Sequence, residues 1–67
     1  MAVVKIIELV GSSTESWQDA VEKAVERALK TIRNIRGVDV VGWTAKVRDG
    51  KIVEYRANIK ISFTVEE

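Results

Sequence analysis

The stretch "VEYRANIKISFTV", residues 53–65, alternates without a break. Val53, Tyr55, Ala57, Ile59, Ile61, Phe63 and Val65 are apolar or small, while Glu54, Arg56, Asn58, Lys60, Ser62 and Thr64 are polar. A period of two marks a β-strand with one buried face. Extended back to Lys51, the predicted strand is about 50 Å long at about 3.3 Å per residue. A compact domain of this chain length has a radius of gyration of about 11 Å and is only about 28 Å across. The strand therefore outruns any core its own chain can build. The overhang must be covered by something else, and another copy of the chain is the simplest cover.

Composition points the same way. The 67 residues, read as one domain over 1–67, contain no Cys and no His. A chain this short is marginal alone and usually needs disulfides, a metal or oligomerisation. Without thiols or imidazoles the first remedy is absent and the second lacks its common ligands, so oligomerisation remains. Eleven Lys plus Arg stand against ten Asp plus Glu, which lacks the basic excess of a nucleic-acid binder. No apolar run reaches the length of a membrane span. The start "MAVVKIIELVG" has acid and base within its apolar run and no leader-like cleavage site. A soluble cytoplasmic protein is expected.

Upstream of the long strand, residues 3–10 are apolar and β-branched with Lys5 and Glu8 interposed, and predict a first strand. "GSSTES" breaks it. Ser13 is the expected helix N-cap, with Ser16 and Asp19 as the second choice. From Thr14 to about Ile35 the period becomes 3.6. Trp17, Ala20, Val21, Ala24, Ala28, Ile32 and Ile35 form one face, widened by Val25 and Leu29. Gly37 is the expected C-cap residue. Residues 38–48 predict a second strand whose apolar phase slips by one at Gly42, the mark of a β-bulge. "RDGK" then gives an Asp-Gly hairpin turn. The expectation is an α+β fold of order β-α-β-β, with a three-stranded antiparallel sheet wrapped around one long helix.

Catalytic chemistry is poorly supplied. The common general base and the strongest nucleophile are missing, and an enzyme is not expected. "GSSTES" sits between strand and helix but lacks the repeated glycines and the Lys of a phosphate loop. Capping explains its serines better. Glu22 and Glu26 belong to the charged helix face. Trp17 reads as core. Trp43 reads as core, as subunit interface, or as a stacking platform for a planar ligand.

With these elements in order, the whole chain resembles the dodecins, small flavin-binding proteins with a β-α-β-β subunit. The resemblance runs from Val4 to Glu66. It is carried by "KIIELVGSSTESWQDAVEKAVERA", "IRG" and "RDGKIVEYRANIKISF". It implies a hollow homododecamer of cubic-type symmetry, with helices outside and long strands pairing between neighbours. It implies a flavin ligand (FMN or riboflavin) and a storage or sequestration role, with no nucleic-acid or membrane partner.

The family's stacking Trp on the second strand corresponds to Gly37 here, and the Gln that meets the ring edge corresponds to Arg56. Two further Arg positions of some members fall on Thr44 and Thr64. By family position the ligand-binding candidates are Gly37, Val38, Gly42, Trp43, Thr44 and Arg56. The chain is thus expected to be of a type lacking the flavin-stacking Trp, with weakened flavin binding. Trp43 compensates only if the bulge at Gly42 leaves it on the side of Gly37. Arg56 is read either as a ligand contact or as a cross-strand ion pair with Glu54 of a neighbouring copy or with Asp39. The alternative is a dodecin-type shell that holds another ligand or ion, or none. The sequence itself indicates no metal.

Overall fold

In a computed structural model, residues 3–65 are described; Glu66, where the resemblance ends, lies outside them. The elements are β1 (Val3–Ser13), α1 (Trp17–Leu29), β2 (Ile35–Arg48) and β3 (Lys51–Val65). The three strands form one antiparallel sheet in the order β1-β3-β2. The last strand in sequence is thus the central one. The helix packs on one face of the sheet.

The long strand is real. β3 spans 15 residues, and the molecule measures 52 × 20 × 13 Å with a radius of gyration of 13.8 Å. That is longer and thinner than a compact domain of the same length. Alternation along β3 is kept, but burial is not uniform. Ala57, Ile59 and Ile61 are fully buried under the helix, while Val53 and Val65 at its ends are 38% and 37% exposed. The buried core is small: Ala20, Ala24, Ala28, Ala57, Ile59 and Ile61. Four of these six are alanines, each with little apolar surface to bury, so the stabilisation from this core is modest.

The helix is shorter than its periodicity predicts. Its N-cap is Ser16, whose Oγ accepts from the Asp19 N–H at 3.0 Å, so Ser13 is not the cap. Ser13 Oγ instead accepts from the Glu15 N–H at 2.9 Å and donates to Asp19 Oδ2 at 2.5 Å. At the other end, Lys30 N–H bonds back to Arg27 O, and Thr31 N–H and Ile32 N–H to Ala28 O. The chain then turns at Asn34, in the left-handed region at φ 61°, a conformation Asn tolerates. Asn34 therefore ends the helical segment, and Gly37 lies inside β2. Leu29 is 59% exposed and does not widen the packed face.

β1 does not stop at Val10 but runs on through Gly11 and Ser12 to Ser13, and β2 begins at Ile35 rather than at 38; the bulge and hairpin signals hold. Register shifts mark bulges between Ile35 and Gly37 and between Val40 and Gly42, with a further shift between Lys46 and Val47. Asp49 and Gly50, at φ 53° and 75°, make the hairpin turn between β2 and β3.

Helix and sheet meet closely at Gly11. A Cβ there would collide with the Ala20 carbonyl oxygen and lie 2.9 Å from Ala24 Cβ. The alanine stripe of α1 and the missing side chain at 11 together set the helix-to-sheet distance.

Candidate ligand-binding face

The face of the sheet away from the helix is built by the even positions of β3, flanked in register by β1 and β2. Ser62 lies between Ile6 and Gly37, Lys60 between Glu8 and Asp39, Asn58 between Val10 and Gly42, and Arg56 between Ser12 and Thr44. Each row crosses all three strands. Polar groups run down the middle, β1 presents Ile6 and Val10 alternating with Glu8 and Ser12 on one side, and glycines interrupt the other.

Gly37 opens a groove of about 310 Å³ lined by Ile6, Gly37, Val38, Asp39, Lys60 and Ser62. Ser62 Oγ donates to the Gly37 carbonyl at 3.4 Å. A Cβ at 37 would meet only that hydroxyl, at 3.4 Å, so the floor of the groove has room. Apolar walls with a few polar groups of both signs are what small-molecule sites offer, and the volume is at the lower end of their range.

The bulge sorts the remaining candidates by face. Residue 41 is the extra one between Val40 and Gly42. Gly42 and Thr44 pair with Asn58 and Arg56 and share their face with Gly37. Val38 and Trp43 pair with Ile61 and Ala57 and so belong to the helix side. Arg56 Nε donates to Glu54 Oε2 of its own strand at 2.9 Å, with the two side chains 47% and 28% exposed. The ion pair is therefore intrachain and i to i−2. Within the chain it is not the pair with Asp39, which stands opposite Lys60.

Separation along β3 constrains any joint action. From Ser62 to Arg56 is six residues, about 20 Å of strand. One small planar ligand seated at Gly37 cannot also touch Arg56 of the same chain.

The expectation of a chain without its tryptophan is overturned by Trp17 and Trp43. They pack edge to face on the helix side, with ring centroids 6.1 Å apart at 85°. Tyr55 joins them, its centroid 4.8 Å from Trp17 at 74°. Trp17 Nε1–H donates to the Thr44 carbonyl at 2.8 Å, which ties the start of the helix to β2. Trp43 is 54% exposed.

The helix start is electrostatically settled. The Ser13 hydroxyl, and next the Lys23 ammonium at 3.2 Å, hold the Asp19 carboxyl below its ordinary value of 3.8. Both Ser13 and Ser16 are thus used by the backbone and by Asp19. Among the described residues no group of three or more His, Cys, Asp or Glu could hold a metal ion, and no helix is long and apolar enough to cross a membrane.

This fold and this face have relatives. The family model named Dodecin matches residues 3–66. The chain belongs to the dodecin family. A protein named calcium dodecin from Mycobacterium tuberculosis is 33% identical over 63 residues, covering 94% of this chain and 89% of that protein. A dodecin from Thermus thermophilus is 32% identical over 65 residues, covering 97% and 94%. The structure of dodecin from Streptomyces coelicolor superposes with a TM-score of 0.95 at 29% identity, over 98% of this chain and 94% of that one. The β-α-β-β order and the three-stranded antiparallel sheet are those of the dodecins.

Residues that the sequence reading passed over now frame the groove: Ile6, Asp39, Lys60 and Ser62. Their signal was available. They are polar or apolar neighbours in register with Gly37, but that register needs the bulges at 36 and 41 to be counted first.

Proposed function

We propose that the protein is one subunit of a hollow homododecamer that binds and stores a flavin-type small molecule on the helix-free face of its sheet. The groove at Gly37 carries this reading. It combines an open floor, the apolar Ile6, and the paired donor and acceptor chemistry of Lys60, Asp39 and Ser62. A flavin is a flat ring system with an apolar body and a polar edge, and such a surface suits it. The shell is supported by the sheet's length and by apolar side chains left uncovered in the single chain. Val4, Ile6 and Val10 of β1 are 57%, 60% and 63% exposed. Binding without turnover fits a chain lacking His and Cys.

The test is titration of the purified protein with riboflavin and FMN, followed by quenching of flavin fluorescence. Saturable quenching is expected. Gly37→Trp places an indole on the groove floor and is expected to tighten binding about ten-fold, since ring stacking is worth about 1–3 kcal/mol. No quenching by either flavin would overturn the proposal.

A second reading is a divalent cation shared between copies. It is favoured by the relative named calcium dodecin. Calorimetric titration with Ca²⁺ distinguishes it: heat with calcium and no flavin quenching would select this reading.

A further inference from the structure

We infer that Trp17 selects the register of a short stretch of β2, residues 42–46, and so decides which side chains that stretch turns to the helix-free face. The stretch lies between two bulges of opposite sense. On one side the extra residue is Val41 of β2, between the pairs Val40 with Ile59 and Gly42 with Asn58. On the other it is Val53 of β3, between the pairs Lys46 with Glu54 and Val47 with Ile52. The two shifts cancel. Residues 37–40 and 47–48 share one register, and only the pairs between them are displaced by one. Closing both bulges together would leave the turn at Asp49-Gly50 and the pairs of Val38 and Val40 as they are. Between the bulges every β2 side chain would change face. Gly42, Thr44 and Lys46 would leave the helix-free face. Val41, Trp43 and Ala45 would replace them, with Trp43 opposite Arg56.

Burial within the chain does not choose between the two registers. Val38 and Val40 are set against Ile61 and Ile59, which are fully buried, and the hairpin end is set by its turn. Between them no β2 residue from 42 to 46 is buried, and Trp43 is 54% exposed. Trp17 supplies the missing constraint. As the first residue of α1 it is placed independently of β2, by the Ser16 cap and by the fully buried Ala20 one turn on. Its indole spans both strands, edge to face with Trp43 of β2 and with Tyr55 of β3. Its Nε1–H donates to the Thr44 carbonyl. A backbone carbonyl recurs at every residue, so this bond holds the strand without distinguishing one register from the next. The ring contact does distinguish them. Slipped by one, Gly42 would stand opposite Ala57 in place of Trp43, and Trp17 would lose its aromatic partner on β2. Trp17 is in this sense a positioning residue for the helix-free face, whatever ligand that face holds.

The experiment reads the register by disulfide trapping, which is clean in a chain without Cys. Lys46→Cys with Glu54→Cys places two thiols directly opposite in the observed register. Ala45→Cys with Glu54→Cys places them opposite only in the slipped one. In the observed register their Cβ atoms point to opposite faces and cannot be bridged. Both pairs remove Glu54, so loss of its ion pair with Arg56 is common to the two. Each pair is oxidised in the assembled protein, with Trp17 native, Trp17→Phe or Trp17→Leu, and intrachain bridges are scored on a non-reducing denaturing gel. With Trp17 native, only the 46–54 bridge is expected. Trp17→Leu is expected to form the 45–54 bridge as well, and Trp17→Phe, which keeps a ring, to suppress it again. Trp43→Leu removes the same contact from the exposed side and replaces Trp17→Leu if that variant fails to assemble. A 45–54 bridge with Trp17 native overturns the inference. So does its absence from the assembled Leu variants, or equal slippage in Trp17→Phe and Trp17→Leu.

Discussion

Under the helix, Ala57, Ile59 and Ile61 of β3 are fully buried. On the opposite face their chain neighbours Asn58 and Lys60 stand beside Gly42 and Asp39. The two faces share every backbone hydrogen bond of the sheet yet are constrained in opposite ways. On the helix side, contact distance decides. Small residues let α1 approach, and added volume has nowhere to go. On the helix-free side, chemical character decides. Side chains there meet grooves and open space, so they can change without moving the strands. A fold of this kind can keep its packed face and change what its open face binds.

The sharpest break of that contrast is a charge on the packed side. Ile61→Asp would bury an unpaired carboxylate at a fully buried site, costing several kcal/mol. Loss of folding and of assembly together is expected by circular dichroism and light scattering. A stable assembled variant would show that the faces have been assigned wrongly.

The glycines compare the two faces directly. Gly11→Ala puts a methyl into the Ala20 carbonyl and Ala24. It should destabilise by about 1–3 kcal/mol, as overpacking does. Gly37→Ala meets only a hydroxyl at 3.4 Å and should be neutral or stabilising by up to about 1 kcal/mol, because alanine orders more cheaply in a strand. Denaturant midpoints for the two variants test the pair. Equal losses would erase the distinction between the faces.

How much of this was legible in the sequence depends on the kind of signal. β3 was readable to its ends because period-two alternation persists even where nothing covers it. The hairpin was readable from Asp49-Gly50, and the bulge from the phase slip at Gly42. The end of the helix was not. Ile32 and Ile35 continue the helical spacing by coincidence, since the connection and β2 pack them against the same core as α1. The reversal is made by Asn34, which composition does not mark as strongly as a glycine. Ser13 and Ser16 are chemically equivalent as caps, and only the bond from Asp19 N–H separates them. The candidate ligand face was half legible: Gly37, Gly42, Thr44 and Arg56 share it, but Asn58, Lys60 and Ser62 emerge only once the register is known.

A smaller effect is expected at the helix start. The Asp19 carboxyl is held below its ordinary value by Ser13 and Lys23. A depressed folded-state pKa contributes stability above the unfolded value, and that contribution is lost as pH falls from about 3.8 through the folded pKa. Urea midpoints measured from neutral pH downward should drop in this window. Asp19→Asn should flatten that part of the profile; an unchanged profile would show that the interaction does not persist in solution.

The smallest effect belongs to the open face. Arg56→Gln removes a partly exposed ion pair with Glu54 and should cost at most about 1 kcal/mol, with assembly intact. A larger loss in thermal denaturation would mean that Arg56 is held by another copy and that the open face is not open in the assembly.

The strand order β1-β3-β2 has a consequence in time. The strand that both others need is the last to be made, and Val3 pairs with Val65 at the opposite end of the described chain. At about 5–20 residues per second, β1 and β2 emerge with no partner between them, and the helix has no completed sheet to cover. The sheet can therefore close only once β3 has been made, through its most distant pairing, which is the slow kind of folding step. A truncation that removed β3 as a whole would not yield a smaller sheet; it would leave two strands with nothing to join them.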